Sequence, residues 1–122
     1  MEITIKKLYE ETKKVFLTVS NLKTLYVGKT CDKESAKTRH DYEYDNFKII
    51  AIGNTTIISK AEDYFIKKLK QDFPSFIDNK NEGSAGNPNA DQLYISWNID
   101  YKNEHQLDEP DLLDEPYMLV EE

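Results

Sequence analysis

Three residues in the first half of the chain have types and positions suited to phosphate chemistry: Tyr26 in Tyr26-Val27-Gly28, Arg39, and Glu62. Arg39 is the only arginine beside fifteen lysines. Its guanidinium presents a planar fork of donors that grips a phosphate or a carboxylate bidentately, which an ammonium cannot do. Glu62 stands out by position. On a wheel of about 100° per residue, Ile58, Phe65, Ile66, Leu69 and Phe73 all fall within about 60° of it. A carboxylate in the middle of an apolar stripe is costly to ionise unless a cation meets it. That cation is either a basic side chain, with Arg39 a candidate, or a hard divalent ion, which prefers carboxylate oxygen and water. The bland alternative is a glutamate at the rim of the core, reaching sideways to water or to a lysine.

The elements that must hold these residues are read from pattern. Residues 15–20, VFLTVS, and 24–27, TLYV, are rich in β-branched and aromatic types and flank a short Asn-Leu-Lys connection, which predicts a β-hairpin closing at Gly28. Asp32 predicts the N-cap of a helix over about 33–44. FKIIAI, 47–52, predicts a buried central strand. Residues 58–73 predict the clearest helix, stopped by Pro74. The stretch 78–91 is a loop by its Asn, Gly and Ser content, and QLYISW, 92–97, predicts one more strand.

Composition bounds the rest. The chain has 122 residues, 39% hydrophobic and 32% charged, which predicts one soluble domain with a modest core. No apolar run approaches a membrane span, and the opening residues have no signal-peptide pattern, so an intracellular, cytoplasmic or nuclear setting without membrane contact is expected. Cys31 is the only cysteine, which excludes an internal disulfide, and with His40 and His105 it gives no zinc spacing. The net charge of −7 is unevenly spread. Residues 1–71 carry a net +4 and residues 72–122 a net −11. A basic body suits a polyanion. Residues 104–122 hold eight acids and no Lys or Arg, and are expected to form a weakly ordered tail after a body spanning 1–103.

Taken in order, VFLTVSN, Tyr26-Val27-Gly28, Arg39 and a later helix with Glu62 resemble the GIY-YIG endonuclease family, over roughly residues 15–81. That family includes homing endonucleases, the amino-terminal nuclease of bacterial excision repair, and nucleases of branched DNA. Tyr26-Val27-Gly28 matches its second motif, followed by Lys29 and Thr30. Arg39 matches its helix arginine, Glu62 its metal-binding glutamate, and Asn79 or Asn81 its late asparagine. In the first motif Leu17 stands where the family has tyrosine, and Val15 where it has glycine.

The resemblance implies an α/β (α+β) fold with a small, mainly antiparallel three-stranded sheet flanked by helices. It implies a divalent-metal-dependent DNA endonuclease. Glu62 would hold Mg²⁺ or Mn²⁺, Arg39 would stabilise charge on the scissile phosphate, and Tyr26 or a water it positions would serve the nucleophile. His40 would contact phosphate or stay on the surface, or act as a base. The other reading is a member of the same fold that lost cleavage with its first tyrosine and binds nucleic acid or a protein partner, the acidic tail serving as docking segment. The ordinary alternatives also stand: Tyr26 packing in a strand, Gly28 as a turn glycine, and Lys33, Lys37 and Lys60 as solvated surface.

Overall fold

Residues 15–17, expected on a strand, end a helix instead. In the computed structural model, which describes residues 1–40, 44–79, 88–100 and 115–121 (the side chains of Arg39 and His40 excepted), helix α1 spans Ile5–Leu17. Thr4 caps it, its hydroxyl accepting from the Lys7 amide at 3.3 Å. Leu8, Tyr9, Thr12 and Phe16 form one buried stripe at helical spacing. Leu17 points away from it and is 62% exposed. The β-branched content of 15–20 therefore loses to a stripe that begins seven residues earlier and can be buried only as a helix.

The remaining elements are β1 (Glu2–Ile3), β2 (Leu22–Thr30), α2 (Lys33–His40), β3 (Asn46–Ile52), α3 (Thr55–Asp72), β4 (Gln92–Ile99) and β5 (Tyr117–Leu119). The fold is α+β, as expected, but the sheet has five strands and not three, in the order β1-β5-β3-β4-β2. β4 pairs antiparallel with both β2 and β3, whereas β5 runs parallel to β3 and β1. So the antiparallel partner of the Tyr26-Val27-Gly28 strand is β4, with Gly28 opposite Tyr94, and not residues 15–20. Part of the expected acidic tail, 117–119, is a strand at the sheet. Among the described residues no helix is long and apolar enough to cross a membrane.

Side chains alternate across the sheet. Leu25, Val27, Leu93, Ile95 and Trp97 join α1 and α3 in the main core. Tyr26, Phe47, Ile49 and Tyr94 join Ala36 of α2 in a smaller cluster on the opposite face. A register shift between Ile49 and Ala51 lets Ile50 and Ala51 both enter the main core. Phe65, Ile66 and Leu69 of α3 are at most 1% exposed, and each contributes about 1.5–3 kcal/mol by leaving water.

α3 is capped by Asn54, which accepts from the Ile57 amide at 2.8 Å. Its far end is tied to α1: the Tyr9 hydroxyl donates to Asp72 Oδ2 at 2.6 Å, and Lys13 Nζ lies 3.4 Å from the same oxygen. Burial, and then Asp72, push the Tyr9 phenol far above its ordinary range, while the hydrogen bond from Tyr9 holds Asp72 below the usual carboxylate range.

Candidate functional site

Glu62 is buried at 8% exposure, as its place on the wheel requires, and it has found a cation. The partner is Lys29 of β2, whose Nζ lies 4.0 Å from Glu62 Oε1. Both side chains are nearly enclosed, at 5% and 10% exposure. Strand alternation delivers Lys29 there, because positions 25, 27 and 29 face α3. The same ammonium donates to Ser59 Oγ at 3.0 Å, so two groups one turn apart on α3 hold it. At an effective dielectric of about 20 the ionic attraction is about 4 kcal/mol, offset by the cost of desolvating both ions. Lys29 and Ser59 open onto a cleft of about 420 Å³ whose walls include Thr55, Thr56, Lys60 and Asp63.

Tyr26 lies on the other face. Its ring is 6.2 Å from that of Tyr94, stacked, and 5.7 Å from that of Tyr44, while Phe47 lies 4.9 Å from Tyr94. Gly28 is required here by close approach: a β-carbon on it would come within 2.8 Å of Tyr94 Cε2 and closer to the hydroxyl end of the ring. The Tyr44 hydroxyl donates to Asp78 Oδ2 at 2.8 Å. Beside these rings is a cleft of about 360 Å³ lined by Lys33, Lys37, Phe47, Lys48, Ile49, Ile52, Gln92 and Pro116. Lys33 and Lys37 stand one turn apart on α2 and are exposed, and Phe47 is half-buried. α2 is fixed by Asp32, whose carboxylate accepts from the Ser35 amide and hydroxyl at 3.2 and 2.8 Å, bonds that lower its pKa.

Thr30 shapes the turn between β2 and α2: its hydroxyl donates to the Asp32 carbonyl and accepts from the Asp32 amide, both at 2.9 Å. Asn79 serves the outer edge of β2. Its Oδ1 accepts from the Val27 amide at 3.0 Å and its Nδ2 donates to the Val27 carbonyl at 2.8 Å. Residues 76–78 extend that pairing through Leu25.

Of the residues expected to act together, the structure unites Lys29 with Glu62, and Asn79 with the backbone beside Tyr26. It sets Tyr26 and Glu62 on opposite faces of the sheet. Arg39 and His40 belong to α2, with side chains outside the described set, and Asn81 and His105 lie outside the described residues. The sequence reading offered Arg39 as the partner of Glu62. Among the described side chains it is a lysine, Lys29, that meets Glu62, the ordinary alternative, because an odd position on β2 faces α3. Ser59, Tyr94 and Phe47 were missed: a helix serine and two strand aromatics carry no local signal until the strand pairing is known.

Mg²⁺ or Mn²⁺ at Glu62 is not a good fit to the donors present. A lysine ammonium already meets the carboxylate, and no group of three His, Cys, Asp or Glu side chains converges anywhere among the described residues. Comparison with protein-family models, with curated proteins and with solved structures returned no match.

Proposed function

We propose that this chain binds DNA, and that a strand lies across the α2 face of the sheet. The observation that carries this reading is the cleft in which Lys33 and Lys37 stand beside the half-buried ring of Phe47, next to the Tyr26–Tyr94 pair. Phosphates would be met by the lysines of α2 and an unstacked base by Phe47, the combination of charge and aromatic platform that single strands require. Arg39 belongs to the same helix, and residues 1–71 carry a net charge of +4.

Phosphodiester cleavage draws less support. Tyr26 and Glu62 face opposite sides of the sheet, Leu17 is on the outside of a helix, and the Glu62 carboxylate is engaged by Lys29. The reading closest to this geometry is therefore a GIY-YIG-like body that holds DNA without a hydrolytic centre. A protein partner for the acidic segment depends mainly on residues outside those described.

The test is fluorescence anisotropy with single-stranded, duplex and branched DNA, comparing the native chain with Lys33→Glu/Lys37→Glu and Phe47→Ala. Loss of binding in the double variant, with its fold intact, is the expected result. Equal affinity in native and double variant would discard the α2 face as the binding surface. Metal-dependent cutting of any of these substrates, lost in Glu62→Ala, would restore the endonuclease reading.

A further inference from the structure

Lys29 and Glu62 approach each other under α3, their side chains only 5% and 10% exposed. Lys29 pairs in register with Leu93 of β4, which is fully buried on the same face. Its stem is therefore enclosed by the core and its ammonium is set against α3. It donates to Ser59 Oγ at 3.0 Å, and Glu62 stands 4.0 Å away one turn further along the helix. The ammonium is held from two sides by groups whose spacing the helix fixes. A divalent cation at the Glu62 carboxylate would bring two positive charges against a third that Ser59 and Glu62 already hold in place. It would also have to strip its own water where, among the described residues, no group of three His, Cys, Asp or Glu side chains stands ready to replace it.

We propose that Lys29 is the resident cation of Glu62, so that this carboxylate is closed to Mg²⁺ and Mn²⁺ in the native chain and becomes a divalent-cation site only when residue 29 loses its charge. The inference is independent of what the α2 face binds.

Backbone amide spectra during Mn²⁺ titration test it, because paramagnetic broadening marks where the ion sits. In the native chain, signals from residues 57–66 should show no saturable broadening that Glu62→Gln removes. In Lys29→Met, and in Lys29→Gln, which keeps a donor for Ser59, the same signals should broaden with one-to-one saturation. Mn²⁺ should bind there at least tenfold more tightly than in the native chain, and the gain should vanish in Lys29→Met/Glu62→Gln. Saturable broadening around Glu62 in the native chain, lost in Glu62→Gln, would overturn the proposal. So would a folded Lys29→Met or Lys29→Gln chain that gains no site. The comparison of native with Glu62→Gln stands even where the lysine variants do not fold, since glutamine keeps the shape of glutamate.

Discussion

The side chain of Asn79 completes the edge of β2 by pairing with Val27 through both its amide oxygen and its amide nitrogen. A single residue thus supplies what a neighbouring strand otherwise would, one donor and one acceptor at strand spacing. Asn79→Ala leaves the Val27 amide and carbonyl to find water at a partly covered edge. The expected loss is about 1–3 kcal/mol. Asn79→Asp keeps the acceptor but turns a second carboxylate oxygen toward the Val27 carbonyl, and should lose at least as much. Urea denaturation checks both: a midpoint unchanged in the alanine variant would mean the pair contributes nothing.

Gly28 and Tyr94 are set by the same pairing, and they should be coupled. Gly28→Ala drives a methyl into the ring of Tyr94, which is 2% exposed. About 1–3 kcal/mol of destabilisation is expected from overpacking. Tyr94→Leu removes the ring that the methyl meets, so the double variant should be more stable than the sum of the two single effects. Strict additivity in thermal denaturation would show that the ring is not the obstacle.

The Tyr9–Asp72 contact should write itself into the acid limb of the stability curve. Asp72 is held below its ordinary range in the folded chain, chiefly by the Tyr9 hydroxyl and then by Lys13. A depressed carboxyl contributes stability that is present above its unfolded value, about 4, and lost as pH falls through the folded one. Tyr9→Phe should cost about 1 kcal/mol at pH 7, since Asp72 is partly solvated. That cost should shrink below about pH 4. On the alkaline side the raised phenol works in the opposite sense, and native stability should fall above about pH 10, where only the unfolded chain ionises. A Tyr9→Phe curve parallel to native at both ends would remove this account.

Charge and stacking on the α2 face should separate in a salt titration. Lys33→Ala and Lys37→Ala should each flatten the dependence of log affinity on log salt by about 0.7 for a single strand, with little regard to sequence. Phe47→Ala should leave that slope alone and cost about 1–3 kcal/mol of affinity at every salt concentration. A slope altered by Phe47→Ala, or untouched by either lysine, would mean that the strand takes another path.

Helix α3 and strand β3 were legible because their patterns are strong and local: a 3.6-residue stripe through Ile58, Phe65, Ile66 and Leu69, and the apolar run FKIIAI. Glu62 was legible for the same reason, as the one charge on that stripe. The start of α3 was placed three residues late, since Thr55, Thr56 and Ile57 look like strand while the signal that mattered was the Asn54 cap. Residues 15–20 misled through their β-branched content, although Leu8, Tyr9, Thr12 and Phe16 already spelled a helix. What local reading could not supply was the face on which each residue lands. Lys29 and Tyr26 differ by an odd number of positions on one strand, and that parity alone parts them.

Among the described residues strand β1 is hydrogen-bonded into the sheet through β5: the Met118 amide donates to the Met1 carbonyl and the Val120 amide to the Ile3 carbonyl, and β5 in turn pairs with β3. Glu2 and Met118 are nearly a whole chain apart in sequence. Closing so large a loop gives up much conformational entropy before two short strands return anything. This corner of the sheet should consequently assemble last and open first, with β1 released whenever β5 lifts. In hydrogen exchange the amides of Met118 and Val120 should trade protons together and well ahead of those in β4. The molecule would then have a slow-folding, loosely latched flank at β1 and β5, far across the sheet from the strand that carries Tyr26 and Lys29.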